Sequence, residues 1–144
     1  MRKQILFLRI AYIAGAVLDG VMLLPMLFPA VAGAMFGIAD FDPGAEYTYA
    51  MAIGASLMLG WTVLLIWGFL KPLERKGIIL ITAVPVVIGM ILANIYAVSG
   101  GIVQIGNMLP TFILQAILLV LFLLSYAYSY KKPTSTSSGV SSPS

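Results

Sequence analysis

The sequence predicts an all-α, polytopic membrane protein whose four transmembrane helices form an up-down antiparallel bundle with both termini in the cytoplasm. Its 144 residues are 61% hydrophobic and only 9% charged, whereas about a quarter of the residues in soluble domains are charged. Four apolar segments each approach the roughly 20 residues that cross the hydrocarbon core of a bilayer. The basic residues follow the asymmetry that keeps basic loops in the cytoplasm.

The four predicted spans cover residues 10–28, 47–69, 78–98 and 108–130. The basic residues precede the first span, separate the second from the third, or follow the fourth. They are Arg2, Lys3, Arg9, Lys71, Arg75, Lys76, Lys131 and Lys132. The other two connections contain no Lys or Arg, so we expect them on the outer side. Short connections make consecutive helices antiparallel neighbours.

Local sequence signals indicate where the spans end. The segment 40–44, Asp-Phe-Asp-Pro-Gly, is typical of a turn after the first span. Pro72 ends the second span because proline cannot continue the helical hydrogen bonds. Gly100 and Gly101 end the third, and Asn107 is a candidate N-cap for the fourth.

Proline also occurs inside the third span. Pro85 removes the hydrogen bond to the carbonyl of Ile81, and we expect the Thr82 hydroxyl to satisfy part of the freed group. Trp61, deep in the second span, is interpreted as a packing residue.

Both ends of the chain need separate interpretation. Residues 1–132 are predicted to form one transmembrane domain, followed by a disordered, Ser/Thr-rich cytoplasmic tail over 133–144. The N-terminal run before Ala30-Val31-Ala32 resembles a cleavable signal sequence. That run is longer than a typical signal core and is interrupted by Arg9 and Asp19, so an uncleaved first span is preferred. Residues 29–36 are then expected to form a short interfacial or frayed extension.

One acidic residue, Asp19, lies inside a predicted span, and its position is near the bilayer midplane. A carboxylate there costs ~2.5–3.5 kcal/mol on insertion scales, so it should face the protein interior or a wet cavity. Ser56, Asn94 and Gln115 fall at overlapping depths, and the four side chains could line an outward-facing pocket that binds a ligand or a proton. The alternative is that Asp19 fixes helix register through a hydrogen bond to Ser56, Asn94 or a backbone carbonyl.

Small residues recur every fourth position on three spans, a pattern that lets helix backbones approach closely. Asp19 and Ser56 each lie on the small-residue face of their helix, so we expect these two helices to meet there. The candidate packing residues are Gly15, Ala52, Gly60, Gly89 and Ala93.

The function predicted from the sequence is an accessory, assembly or scaffolding subunit in the cell membrane. Its partners would be the lipid bilayer, other membrane subunits or further copies of the chain, and not nucleic acid. The chain has no Cys and no His, so it lacks thiol nucleophiles and imidazole ligands for haem. We therefore expect no enzymatic activity, cofactor or metal. The alternative is an oligomeric transporter or channel subunit that uses Asp19 for proton or cation coupling.

Overall fold

A computed structural model describes residues 2–130, and all regular secondary structure in this range is helical. Four of the helices are long and apolar enough to cross a membrane, so the prediction of a four-span membrane protein with a helical fold is confirmed at this level. The predicted tail, 133–144, lies outside the described residues. The helices are α1 (Arg2–Leu27), α2 (Pro29–Phe36), α3 (Ala45–Leu70), α4 (Gly77–Ser99) and α5 (Ile105–Tyr128).

Helix α1 begins at Arg2, eight residues before the predicted span, and it ends where Phe28 adopts an extended conformation. The chain then turns directly into α2, whose first residue is Pro29. Proline suits this position because the first helical N–H has no partner within the helix. The extension expected here is therefore a regular helix and not a frayed segment, and it buries Ala32 and Gly33. It ends at Gly37, whose φ of 68° is the left-handed conformation that glycine adopts most readily.

The middle of α4, Thr82–Ile88, is a π-helical segment around Pro85. Proline cannot donate to the carbonyl four residues earlier, and the widened turn accommodates the missing bond. Thr82 does not act as the sequence predicts. Its hydroxyl donates to the carbonyl of Ile78 at 2.8 Å and accepts a bond from the Trp61 indole nitrogen at 3.1 Å. Trp61 therefore links α3 to α4 through a hydrogen bond in addition to its packing.

The helices pack closely where α1 contacts α3 and α5. The ring of Tyr12 is fully buried against Gly68, where any side chain would overlap it. Its hydroxyl donates to the carbonyl of Arg75 at 2.7 Å, in the connection between α3 and α4. A Cβ added to Gly15 would lie 3.0 Å from Phe122 and 3.1 Å from Leu65. Glycines on both helices thus permit a close approach that larger residues would prevent.

The small-residue stripe predicted on α3 does not form the contact with α1. Ala52, Ser56 and Gly60 all lie on an exposed face of α3. An added Cβ would meet nothing within 4 Å at Gly60, or at Gly89 on α4. Of the five candidate packing residues, Gly15 is buried in the contact between α1 and α3, and the other four are not buried.

The two glycines of α3 give a matched test of this packing. Gly68→Ala should destabilise the protein by about 1–3 kcal/mol, because the new methyl group forces the buried Tyr12 ring to move. Gly60→Ala should be neutral or stabilising by up to ~1 kcal/mol, since alanine favours the helix and the site is open. The measurement is the unfolding free energy of each purified variant in the same detergent. Equal effects of the two exchanges would contradict the assigned contact.

Candidate functional site

A half-enclosed cavity of about 230 Å³ lies between the four long helices, with α2 against it. It is mostly apolar, and its polar side chains include Asp19 from α1, Asn94 from α4 and Gln115 from α5. Every methionine within residues 2–130 lines it. These are Met22, Met26, Met35, Met51, Met58, Met90 and Met108. A pocket with a few convergent polar groups in an apolar wall is the usual form of a small-molecule site.

Helical spacing explains why these residues share one space. On α1, Asp19 is followed by Met22 and Met26, three and seven positions later, so all three lie on one face. Met51 and Met58 of α3 are likewise seven positions apart. Each long helix presents such a stripe, and this periodicity is the sequence signal that could have located the cavity. The candidates predicted from the sequence are polar or small side chains, so the methionines are not among them.

Three of the four predicted ligand-binding candidates line this cavity. The amide nitrogen of Asn94 donates a hydrogen bond of 3.2 Å to the side-chain oxygen of Gln115, which is only 6% exposed. Ser56 lies elsewhere, on the exposed face of α3, where its hydroxyl donates to the carbonyl of Ala52 at 3.0 Å. The structure therefore brings Asp19, Asn94 and Gln115 together and leaves Ser56 apart.

The Asp19 carboxyl is partly buried, and no residue within 2–130 forms a hydrogen bond or an ion pair with it. Among residues 2–130, no Lys or Arg belongs to the lining. The bond to Ser56 or Asn94 that a register role would use is not formed. A carboxylate in a mostly apolar environment is unfavourable unless a charge or a set of donors compensates it.

Helix α2 covers one end of the cavity with Ala32, Met35 and Phe36. Its last turn is fixed by Asn107, whose side-chain nitrogen donates to the carbonyl of Phe36 at 2.9 Å. The prediction of Asn107 as an N-cap is wrong. The N-cap of α5 is Gln104, and Asn107 lies inside the first turn with its side chain directed to α2.

Comparison with known proteins identifies no relative: no family model, curated protein or solved structure matches the chain. Within residues 2–130, no group of three or more His, Cys, Asp or Glu side chains could hold a metal ion. The fold and the site define the class as a small membrane protein with four candidate spans and an internal, mostly apolar cavity.

The hydrogen bond between Asn94 and Gln115 should couple α4 to α5 energetically. Polar pairs of this kind in membrane proteins contribute on average ~0.6 kcal/mol and at most about 1.7 kcal/mol. A double-mutant cycle with Asn94→Leu and Gln115→Leu should give a coupling within that range, measured as unfolding free energies in mixed micelles. Strictly additive effects of the two substitutions would show that the pair contributes no stability.

Proposed function

We propose that the protein binds a small, largely apolar molecule with one positive charge in this cavity, as a transporter subunit that uses Asp19 as the counter-charge. The observation that carries the proposal is the carboxyl of Asp19, which has neither a partner nor a basic neighbour in the lining within the part of the chain that the structure describes. Two unit charges 4 Å apart attract by about 4 kcal/mol at the effective dielectric constant of a protein surface. A bound cation would therefore offset much of the desolvation cost of this carboxylate.

The cavity limits the size of the ligand. Its volume of about 230 Å³ is roughly one and a half times that of an engineered 150 Å³ apolar cavity that binds benzene. A substituted benzene with a compact cationic group fits this range. The Asn94–Gln115 pair retains free amide positions, the oxygen of Asn94 and the nitrogen of Gln115, which would orient a polar substituent.

The orientation of the bundle is part of the proposal. We infer an up-down arrangement in the cell membrane with both termini in the cytoplasm, supported by the positions of the basic residues. The hydrogen bond from Gln4 to the carbonyl of Tyr128 holds the start of α1 beside the end of α5. The cavity then lies in the outer half of the membrane, near the acidic connection that carries Asp40 and Asp42.

Reporter fusions test this orientation. Fusions to the N-terminus and the C-terminus should both report the cytoplasm, and a reporter inserted after Asp42 should report the outer side. The expected orientation follows from the asymmetric distribution of basic residues. Replacing Arg75 and Lys76 by Gln should therefore weaken the preference for this orientation. Termini on opposite sides of the membrane would overturn the topology.

A second candidate function rests on a separate observation. The exposed stripe formed by Ala52, Ser56 and Gly60 has the spacing with which membrane helices pack closely against each other. It supports an accessory, assembly or scaffolding role in which α3 contacts another copy or another membrane subunit. The two candidates are compatible, because four helices seldom enclose a pathway alone.

A pair of isosteric ligands tests the binding proposal. Phenyltrimethylammonium and tert-butylbenzene have nearly the same shape and differ in charge. The wild-type protein in nanodiscs should bind the cation at least about tenfold more tightly, an energy difference of ~1.4 kcal/mol. Asp19→Asn should abolish that preference and retain binding of the neutral compound. Calorimetric titration measures both, with empty nanodiscs as the reference for partitioning into lipid.

Asp42→Asn is the matched control, since it makes the same exchange in the exposed connection between α2 and α3. It should change the affinity for phenyltrimethylammonium less than twofold at 0.15 M salt, where exposed charges are strongly screened. Absence of binding by either compound, or an unchanged preference in Asp19→Asn, would contradict the proposal.

A further inference from the structure

We propose that the methionines select an aromatic ring in the ligand, through contacts between thioether sulfur atoms and the ring. This inference rests on the proposed function and adds the chemical class of the apolar part of the ligand. It uses an observation that the charge argument does not use, namely which apolar residues line the cavity.

Methionine and leucine are distributed differently around the cavity. The sequence has many more leucines than methionines, yet only Leu18, Leu114 and Leu118 are among the lining residues. The seven lining methionines comprise every methionine within residues 2–130, and all five helices contribute. Exposed outer faces carry leucine instead, for example Leu24, Leu57 and Leu92.

General packing does not explain this segregation. Leucine and methionine have nearly equal helix propensities, and they exchange in protein cores at small cost. A lining that needed only apolar volume would accept leucine equally well. Methionine differs in its unbranched, flexible chain and its polarizable sulfur, which forms favourable contacts with aromatic rings. The distribution therefore points to a ligand that uses sulfur.

Thioethers also bind soft metal ions such as Cu(I). The size of the cavity argues against that occupant, because one water molecule takes up about 30 Å³ of liquid and a single ion needs no more. A volume of about 230 Å³ fits an organic molecule surrounded by several flexible side chains. Flexible walls of this kind adapt to ligands of different outline.

Two cations with the same head group test the inference. Phenyltrimethylammonium has an aromatic ring, and cyclohexyltrimethylammonium has a saturated ring of similar size. Transfer from water favours the more apolar cyclohexyl compound, so tighter binding of the phenyl compound isolates the contribution of the aromatic ring. We expect the wild-type protein in nanodiscs to prefer the phenyl compound by roughly three- to tenfold, the range that one or two sulfur–aromatic contacts supply.

The variants assign the preference to sulfur. A combined Met22→Leu, Met58→Leu and Met90→Leu variant should bind both cations but lose most of the preference for the phenyl compound or reverse it, because Asp19 is retained, three of the seven lining thioethers are lost, and transfer from water favours the cyclohexyl compound. The matched control exchanges the same residue types outside the cavity, as Leu24→Met, Leu57→Met and Leu92→Met. It should keep the wild-type preference. If the triple variant does not fold, protein with norleucine in place of methionine removes sulfur and retains side-chain length.

The outcomes separate this inference from the proposed function. Equal binding of the two cations by wild-type protein, or a preference that survives loss of the thioethers, overturns the aromatic selection and leaves the cation site intact. Failure of both cations to bind overturns the proposed function itself. Methionine-dependent binding of silver ion in place of either organic cation would show a soft-metal site and overturn the inference.

Discussion

The arrangement of the helices depends on the close contact between Tyr12 and Gly68. A tyrosine ring is buried at a position where only glycine leaves room for it, and its hydroxyl binds the connection that follows α3. Two further contacts also join α1 to α3: Gly15 lies against Leu65, and Met26 lies against Gly54. Residue numbers rise along α1 as they fall along α3, so this contact fixes which part of α3 lies beside Asp19.

The packing between the helices differs between the region around Tyr12 and the region near α2. Near Tyr12 and Gly15, aromatic and branched side chains fill the space between close backbones, and Leu8, Ala11 and Phe122 are fully buried there. Toward α2 many of the facing residues are methionines, and α2 covers the space between them on one side. A rigidly packed region thus supports an adaptable one, a common division between the scaffold and the site of a binding protein.

Much of the fold could be predicted from the sequence, because length and hydropathy are strong signals in a chain that lacks polar surface. The four spans agree with the helices to within about three residues at most ends, and the depths of Asp19, Asn94 and Gln115 placed them in one layer. Helix rotation could not be predicted. Ala52, Ser56 and Gly60 have the spacing of a packing stripe, yet Gly54, Leu65 and Gly68 make the contact with α1. A surface that faces lipid is as apolar as the helix interface, so hydrophobicity does not distinguish them.

The π-helical segment in α4 determines how a helical wheel of this helix should be drawn. In a π-helical turn, each hydrogen bond spans one residue more than in an α-helix. The turn therefore contains one extra residue, and the residues after it are rotated by about 100° relative to an uninterrupted α-helix. Ala93 and Asn94 both reach the cavity from beyond this segment. A wheel drawn without the extra residue would turn the Asn94 amide away from Gln115. Converting Thr82–Ile88 into a regular α-helix without removing a residue would therefore change the phase of α4 and the composition of the cavity wall together, whereas deleting one residue there would remove the widened turn and keep Asn94 beside Gln115.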